Sequence, residues 1–295
     1  YLTVPSRESA QDGADNFTQA LRELGWVEGR NIAIEYRFAG GRYDRLPGLA
    51  AELARLKTDI FVTGATAAAV AAREASRSTP VVTFLANDPV GAGLATSLAR
   101  PGGTVTGLTV TAGPEFIGKQ LELLKSALPS ISRVAILLNR ESPARTRILS
   151  ECKTAAPRLG LKHQVVDVRG PGEFDAVFAA LATSRTEAAF APADSMLYQP
   201  RARLAGPAAR SRVPVMWGLK DHAEAGGLMA YSVNLPDLAR RAAGYVDKIL
   251  KGAKPGDLPM EPPANLELLL NLKTARALGV TLPPTLVTRA DEVVQ

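Results

Sequence analysis

Four residues, Thr63-Gly64-Ala65-Thr66, stand between the run Asp59-Ile60-Phe61-Val62 and an alanine-rich stretch. That is the pattern of a strand turning into a helix, where the first backbone N–H groups lack intrahelical acceptors. With two hydroxyls beside them they form a ready site for an anion such as a carboxylate; an ordinary threonine cap would use the same residues. Asn87 and Asp88 follow a second apolar run, Val81 to Ala86. They could accept from an ammonium group or orient it, or form the turn that Asn-Asp-Pro favours. Asn139-Arg140 and Asp194-Ser195 stand at two later strand ends. Arg140 could pair with a carboxylate bidentately or face solvent. Asp194 is the stronger candidate, because an acidic group across a cleft from an anion site suits a zwitterion. Trp217, Tyr231, Tyr198 and Phe84 are candidates to close over an apolar group. Phe84 lies mid-strand and is expected in the core, whereas Trp217 ends a strand before Gly218 and is expected to face the cleft. Ser6, just after the first strand, completes the ring of loops.

Catalytic patterns are not found. His163 and His222 are the only histidines, and neither has an acidic or thiol partner at metal-ligand spacing. There is no Gly-x-Ser-x-Gly elbow and no phosphate loop ending in Lys-Ser/Thr. Gly91-Ala92-Gly93 lacks the third glycine of a dinucleotide fingerprint and follows a polar turn. The reading is therefore of no catalytic residues, no metal and no cofactor.

The elements that must position these residues follow from periodicity. Helical spacing of apolar residues marks 10–24, 43–56, 115–128, 144–159, 174–181, 235–250 and 271–278, with a further short helix within 91–100. Strands are expected at 31–37, 59–62, 81–86, 104–109, 133–138, 162–168, 187–191, 213–217, 228–233 and 266–270. Such alternation predicts an α/β protein with parallel, doubly wound sheets. The pattern restarts after Thr109, so two Rossmann-like lobes in tandem are expected, as a clamshell with its cleft at the strand ends.

A chain of 295 residues that is 46% hydrophobic can bury a core in each of two domains. No apolar run approaches the roughly 18 to 20 uncharged residues of a membrane-spanning helix. Net charge is +6, with basic residues scattered rather than striped, which argues for a solvated surface and against nucleic-acid binding. The single Cys152 can form no internal disulfide and reads as a small helix residue. The opening residues resemble the end of a strand and a loop, without a signal-peptide pattern.

Several motifs in order carry a family resemblance. Asn87-Asp88-Pro89-Val90, Gly93-Leu94 and Ser97-Leu98-Ala99-Arg100-Pro101-Gly102-Gly103-Thr104-Val105-Thr106-Gly107 resemble the DPV…GLV.SL.RPGGNVTG signature of ABC-transporter substrate-binding proteins of the tryptophan/tyrosine-binding type. Leu24-Gly25-Trp26-Val27-Glu28-Gly29-Arg30-Asn31-Ile32 with Glu35-Tyr36-Arg37 is similar to that family's LGYVEGQNVxIEYR. Gly40 to Pro47, Ala225 to Tyr231 and Asn271 to Ala275 match in order. The resemblance implies a type I periplasmic-binding fold whose chain crosses the hinge three times, near 108–111, 224–227 and 259–265. It implies an N-terminal lobe of 1–108 plus about 228–260 and a C-terminal lobe of 109–227 plus about 261–295. It also implies that residues 63–66 hold a ligand, an aromatic amino acid or aromatic acid, with branched aliphatic amino acids as an alternative. Membrane permease subunits would be the partners, the protein a monomer, exported with signal removal and in some relatives lipid-anchored. Ala86-Asn87 stands where relatives often read Gly-Gly, so ligand preference is expected to differ. An enzyme or a regulator's sensor domain on the same scaffold are the competing readings; the first lacks a catalytic constellation, the second a helix-turn-helix.

Overall fold

The computed structural model describes residues 1–110, 113, 115–198 and 201–295, with side chains 171, 198, 201–203 and 205 outside the description. In chain order the elements are β1 (Leu2–Thr3), α1 (Arg7–Glu23), β2 (Arg37–Phe38), α2 (Leu46–Arg55), β3 (Phe61–Thr63), α3 (Thr66–Ala75), β4 (Val81–Ala86) and β5 (Val105–Thr109). There follow α4 (Phe116–Ala127), β6 (Arg133–Asn139), α5 (Arg145–Arg158), β7 (Lys162–Val168), α6 (Phe174–Thr183), β8 (Ala188–Ala191), α7 (Ser195–Tyr198), α8 (Arg201–Ser211), β9 (Val215–Trp217), α9 (Lys220–Glu224) and β10 (Met229–Val233). The chain ends with α10 (Leu235–Leu250), β11 (Leu266–Asn271), α11 (Leu272–Leu278), α12 (Pro284–Thr288) and β12 (Glu292–Val294).

These elements divide into two compact units, 1–112 with 234–264 and 113–233 with 265–295. The first holds a five-stranded parallel sheet in the order β2-β1-β3-β4-β5. In register, Phe61 lies beside Val81 and Val81 beside Val105, and this row packs on α2 and α3 through Leu46, Leu53, Ala68 and Ala72. Strands buried on both faces read as continuous apolar runs, which is why β4 is Val-Val-Thr-Phe-Leu-Ala. Helix α10 packs against α1, β4 and β5, and buries Leu238, Ala239, Ala242 and Val246. The Trp26 indole N–H donates to Asp247 at 2.9 Å and fixes the α1–α10 pair.

The second unit holds a seven-stranded sheet, β12-β11-β10-β9-β8-β6-β7, parallel except where β11 runs against β10. Helices α4 and α5 pack against Val134, Ile136, Leu138, Phe190 and Met216, with Cys152 wholly buried among them. Burial pushes the Cys152 thiol up to about 12, so it behaves as a small apolar side chain.

Three differences from the sequence-based expectations have physical causes, and the tail, to which periodicity assigns no element, folds as well. Strand 31–37 shrinks to Arg37–Phe38, because β1 offers only Leu2 and Thr3 as ladder partners. The helix expected within 91–100 is a series of turns: the Asp88 carboxylate accepts from the Gly91 N–H at 2.9 Å, and Gly93 adopts φ +67°, which ends any right-handed turn. Residues 228–233, expected in the N-terminal lobe, belong to the second unit, since β10 is hydrogen-bonded to β9 and β11. The tail folds as α12 and β12, and β12 pairs with β11 through Leu269, Leu270 and Asn271.

Candidate functional site

At the carboxyl end of β3 the chain turns through Gly64 and Ala65 into α3. Ala65 is the N-cap in an extended conformation and contributes no capping side chain, and the first turn carries no acidic residue. The partial positive charge of this helix start is therefore balanced neither by a capping side chain nor by an acidic residue of its own first turn. Thr66, at the first helical position and 5% exposed, turns its hydroxyl to the next loop and accepts from the Asn87 backbone N–H at 2.9 Å. Thr66 is thus a tie between the 63–66 and 86–88 loops rather than the N-cap that sequence alone allowed. Gly64 fits closely here: a Cβ would stand 2.7 Å from the Thr3 hydroxyl, which would have to move. Thr63 is buried, and among the described residues its hydroxyl has no hydrogen-bond partner, nor has that of Thr83, its register partner on β4.

The neighbouring candidates divide. Asn87 is half-buried and its backbone is held by Thr66. Asp88 has its Oδ1 committed to Gly91, so the turn-forming role is the one seen. Ser6 caps α1, accepting from the Ser9 N–H at 3.3 Å. Phe84 is buried, as its mid-strand position predicts.

In the second unit, adjacent strands β6 and β8 bring Asn139 and Asp194 together. Asn139 Nδ2 donates to Asp194 Oδ1 at 3.0 Å, the Met196 N–H donates to the same oxygen at 2.8 Å, and the Glu141 N–H donates to Asn139 Oδ1 at 2.9 Å. Both side chains are buried, so this pair ties two strand-end loops much as Thr66 does in the first unit. Ser195, half-buried, opens the single turn of α7, and the Arg140 side chain is exposed. Tyr231 is half-buried, its ring 5.9 Å from that of Phe116 and its carbonyl accepting from Gln120 Nε2 at 2.7 Å. The side chain of Tyr198 lies outside the described residues.

Trp217 departs from expectation. Instead of presenting a face at a strand end, it is 1% exposed and stacks on His222 with ring centroids 4.6 Å apart and planes within 7°. His222, in turn, shares a 2.9 Å hydrogen bond with the Leu197 carbonyl. Gly227 admits the indole, since a Cβ there would lie 2.3 Å from Trp217 Nε1. Sequence reading missed His222 and Thr3 as partners of the candidate residues. The signal for Thr3 was present, because β1 and β3 both end in threonine. The His222 stack had none, because it joins residues from different elements.

A cavity of about 350 Å³ lined by Phe17, Ile34, Leu56, Asp59 and Ile60 opens at the amino ends of the first unit's strands, away from these residues. Among the described residues no cluster of His, Cys, Asp and Glu could hold a metal ion, and no helix is long and apolar enough to cross a membrane.

Comparison with known proteins agrees with the fold. Over 276 residues the chain is 24% identical to a tyrosine-binding protein of Clostridioides difficile (strain R20291), covering 94% of this chain and 78% of that protein. A conserved domain protein of Vibrio cholerae superposes with a TM-score of 0.93 at 23% identity, covering 99% of this chain and 97% of that one. An ABC domain from Streptococcus pneumoniae crystallised with L-Trp superposes at 0.92 with 24% identity, covering 99% and 98%. The α/β architecture with parallel-dominated sheets is that of type I periplasmic binding proteins. Residues 2–294 match the family described as ABC transporter substrate binding protein, whose members bind solutes rather than catalyse, and the chain belongs to that family.

Proposed function

We propose that this protein captures an aromatic amino acid outside the cytoplasm and delivers it to the membrane permease subunits of an ABC importer. The observation that carries this reading is the start of α3: a helix N-terminus without a capping side chain or acidic neighbour, at the carboxyl end of a parallel strand, with its first residue joined to the Asn87 loop. Such a terminus suits a ligand carboxylate, with N–H groups and the helix dipole both favouring negative charge. Asn139, Asp194 and Ser195 are proposed to hold the polar end of the ligand, and Tyr231 to meet its ring. Trp217 is proposed to support the site from within the second unit. The L-Trp bound by the Streptococcus protein and the tyrosine named for the Clostridioides relative support the aromatic class.

A second reading rests on Asp194. Its Oδ1 already accepts from Asn139 and Met196, so an ammonium group is not needed to balance it, and an aromatic acid without an amine fits as well.

Calorimetric titration with L-tryptophan, L-tyrosine, benzoate and isoleucine separates these readings. Binding of the amino acids with benzoate inert supports the first; the reverse supports the second. Thr66→Val, which removes the hydroxyl, is expected to weaken binding about 10-fold, and Thr66→Pro, which also removes the N–H at a position where proline is tolerated, by about 100-fold. Carboxylate binding unchanged in both variants, or no binding of any aromatic ligand by the parent, would overturn the proposal.

A further inference from the structure

Four strands end the two sheets, and three are protected. β2 and β12 are only two and three residues long. β5 is covered, since the Glu261 N–H donates to the Gly107 carbonyl and the Thr109 N–H to the Glu261 carbonyl, both at 2.9 Å. β7 differs. It runs seven residues in unbroken register with β6, contains neither proline nor glycine and, among the described residues, is paired on one side only. A long, regular, unpaired edge is a template for another strand.

The direction of its backbone groups follows from the ladder. In a parallel pair each residue turns its N–H and C=O to the same side. Lys162 donates to Ser132 and Val168 accepts from Arg140, so 162, 164, 166 and 168 face β6. His163, Val165 and Asp167 therefore turn three N–H and three C=O groups outward. Their side chains share one face of the sheet. Val165, 39% exposed, is the one exposed large hydrophobic residue within a strand among the described residues.

We propose that β7 is a homodimerisation edge, on which a second copy of this chain pairs antiparallel about a twofold axis through Val165. This proposal is independent of the ligand reading and replaces the expectation of a monomer. Two identical edges close into a dimer only by a twofold arrangement. With Val165 opposite Val165 of the second copy, each outward N–H meets an outward C=O, giving six hydrogen bonds by the antiparallel pattern. His163 then stands opposite Asp167 twice, an imidazole N–H donor against a carboxylate, and the apolar pair lies at the centre. Asp167 keeps its second oxygen for Arg145 of its own chain. Centring the axis one residue earlier sets Val165 against His163 and leaves Asp167 without an opposite. Centring it one residue later sets Val165 against Asp167. The symmetric register on Val165 alone matches both apolar and charged positions.

Sedimentation equilibrium of the whole chain, from about 1 µM to a few hundred µM, tests this. The weight-average mass is expected to rise from 31.2 kDa towards twice that value. Val165→Pro removes an outward N–H while leaving the β6 ladder intact, and should weaken the dimer at least about 10-fold. His163→Asp and Asp167→His should each be monomeric alone, and a one-to-one mixture should dimerise again, because acid then faces imidazole at both positions. Circular dichroism checks that each variant is folded. A parent chain that stays monomeric throughout, a dimer indifferent to Val165→Pro, or a mixture that fails to reassociate would each overturn the proposal; so would growth into larger oligomers or association only with a different protein.

Discussion

The strand ends of the two units solve the same problem with different residues. In the first, one threonine hydroxyl links two loops, and the α3 start carries no capping side chain. In the second, a buried amide and carboxylate bind each other and the loop backbone, with Asn139 and Asp194 sharing three hydrogen bonds. The first arrangement places an uncapped helix start at the strand end; the second ties one carboxylate oxygen of Asp194 into the loop framework. Polar residues at equivalent places in two similar sheets therefore do not perform equivalent work.

The largest test of that contrast is Trp217→Ala. Removing a fully buried indole stacked on His222 should destabilise the second unit by about 3 to 5 kcal/mol. Segment-resolved hydrogen exchange should place the loss within 113–233 and 265–295 and leave the amides of β3 and β4 protected. Loss of protection in β3 and β4 as well would mean that the two regions are not energetically distinct.

Asp194→Ala comes next. It strands the Asn139 amide and the Met196 N–H in a buried place, at a cost of about 2 to 3 kcal/mol. Asp194→Asn should recover part of this in chemical denaturation, since an amide oxygen still accepts from Met196. Thr66→Val is smaller, about 1 kcal/mol, because the Thr66–Asn87 hydrogen bond is only part-buried and a single neutral bond is lost. A Thr66 effect equal to that of Asp194 would erase the comparison.

The smallest effect is a pH dependence in the second unit. The Glu187 carboxylate accepts from the Ser132 and Arg133 backbone N–H groups and the Ser132 hydroxyl, with Arg133 beside it, and these hold it below its ordinary 4.5. A depressed carboxylate contributes stability that is fully present above its unfolded value and is lost as pH falls through the folded one. The stability difference between parent and Glu187→Gln should therefore be constant at neutral pH and shrink as pH falls below about 4.5. A difference that grows on acidification would contradict this sign.

Much of the fold was legible because its signals are local. Val81 to Ala86 is apolar on both faces, and a strand buried on both faces must be. The start of α3 was legible for the same reason, as a β-branched run ending in Thr-Gly-Ala-Thr before a run of alanines. The helix expected after Asp88 failed because Gly93 takes a left-handed conformation, and apolar spacing carries no trace of that. Trp217 was misread because chain position at a strand end does not reveal what packs over it.

The sequence by itself determined the alternation of strands and helices, the absence of a catalytic constellation and the family, since these depend on residue type and spacing along the chain. Tertiary structure alone decided that β10 belongs with β9 and β11, that Thr66 reaches Asn87, that Asn139 meets Asp194 and that β7 stands at the edge of its sheet. Each of those depends on which strands become neighbours, and hydrogen bonds and close packing act over a few ångströms of space, whatever the separation in sequence.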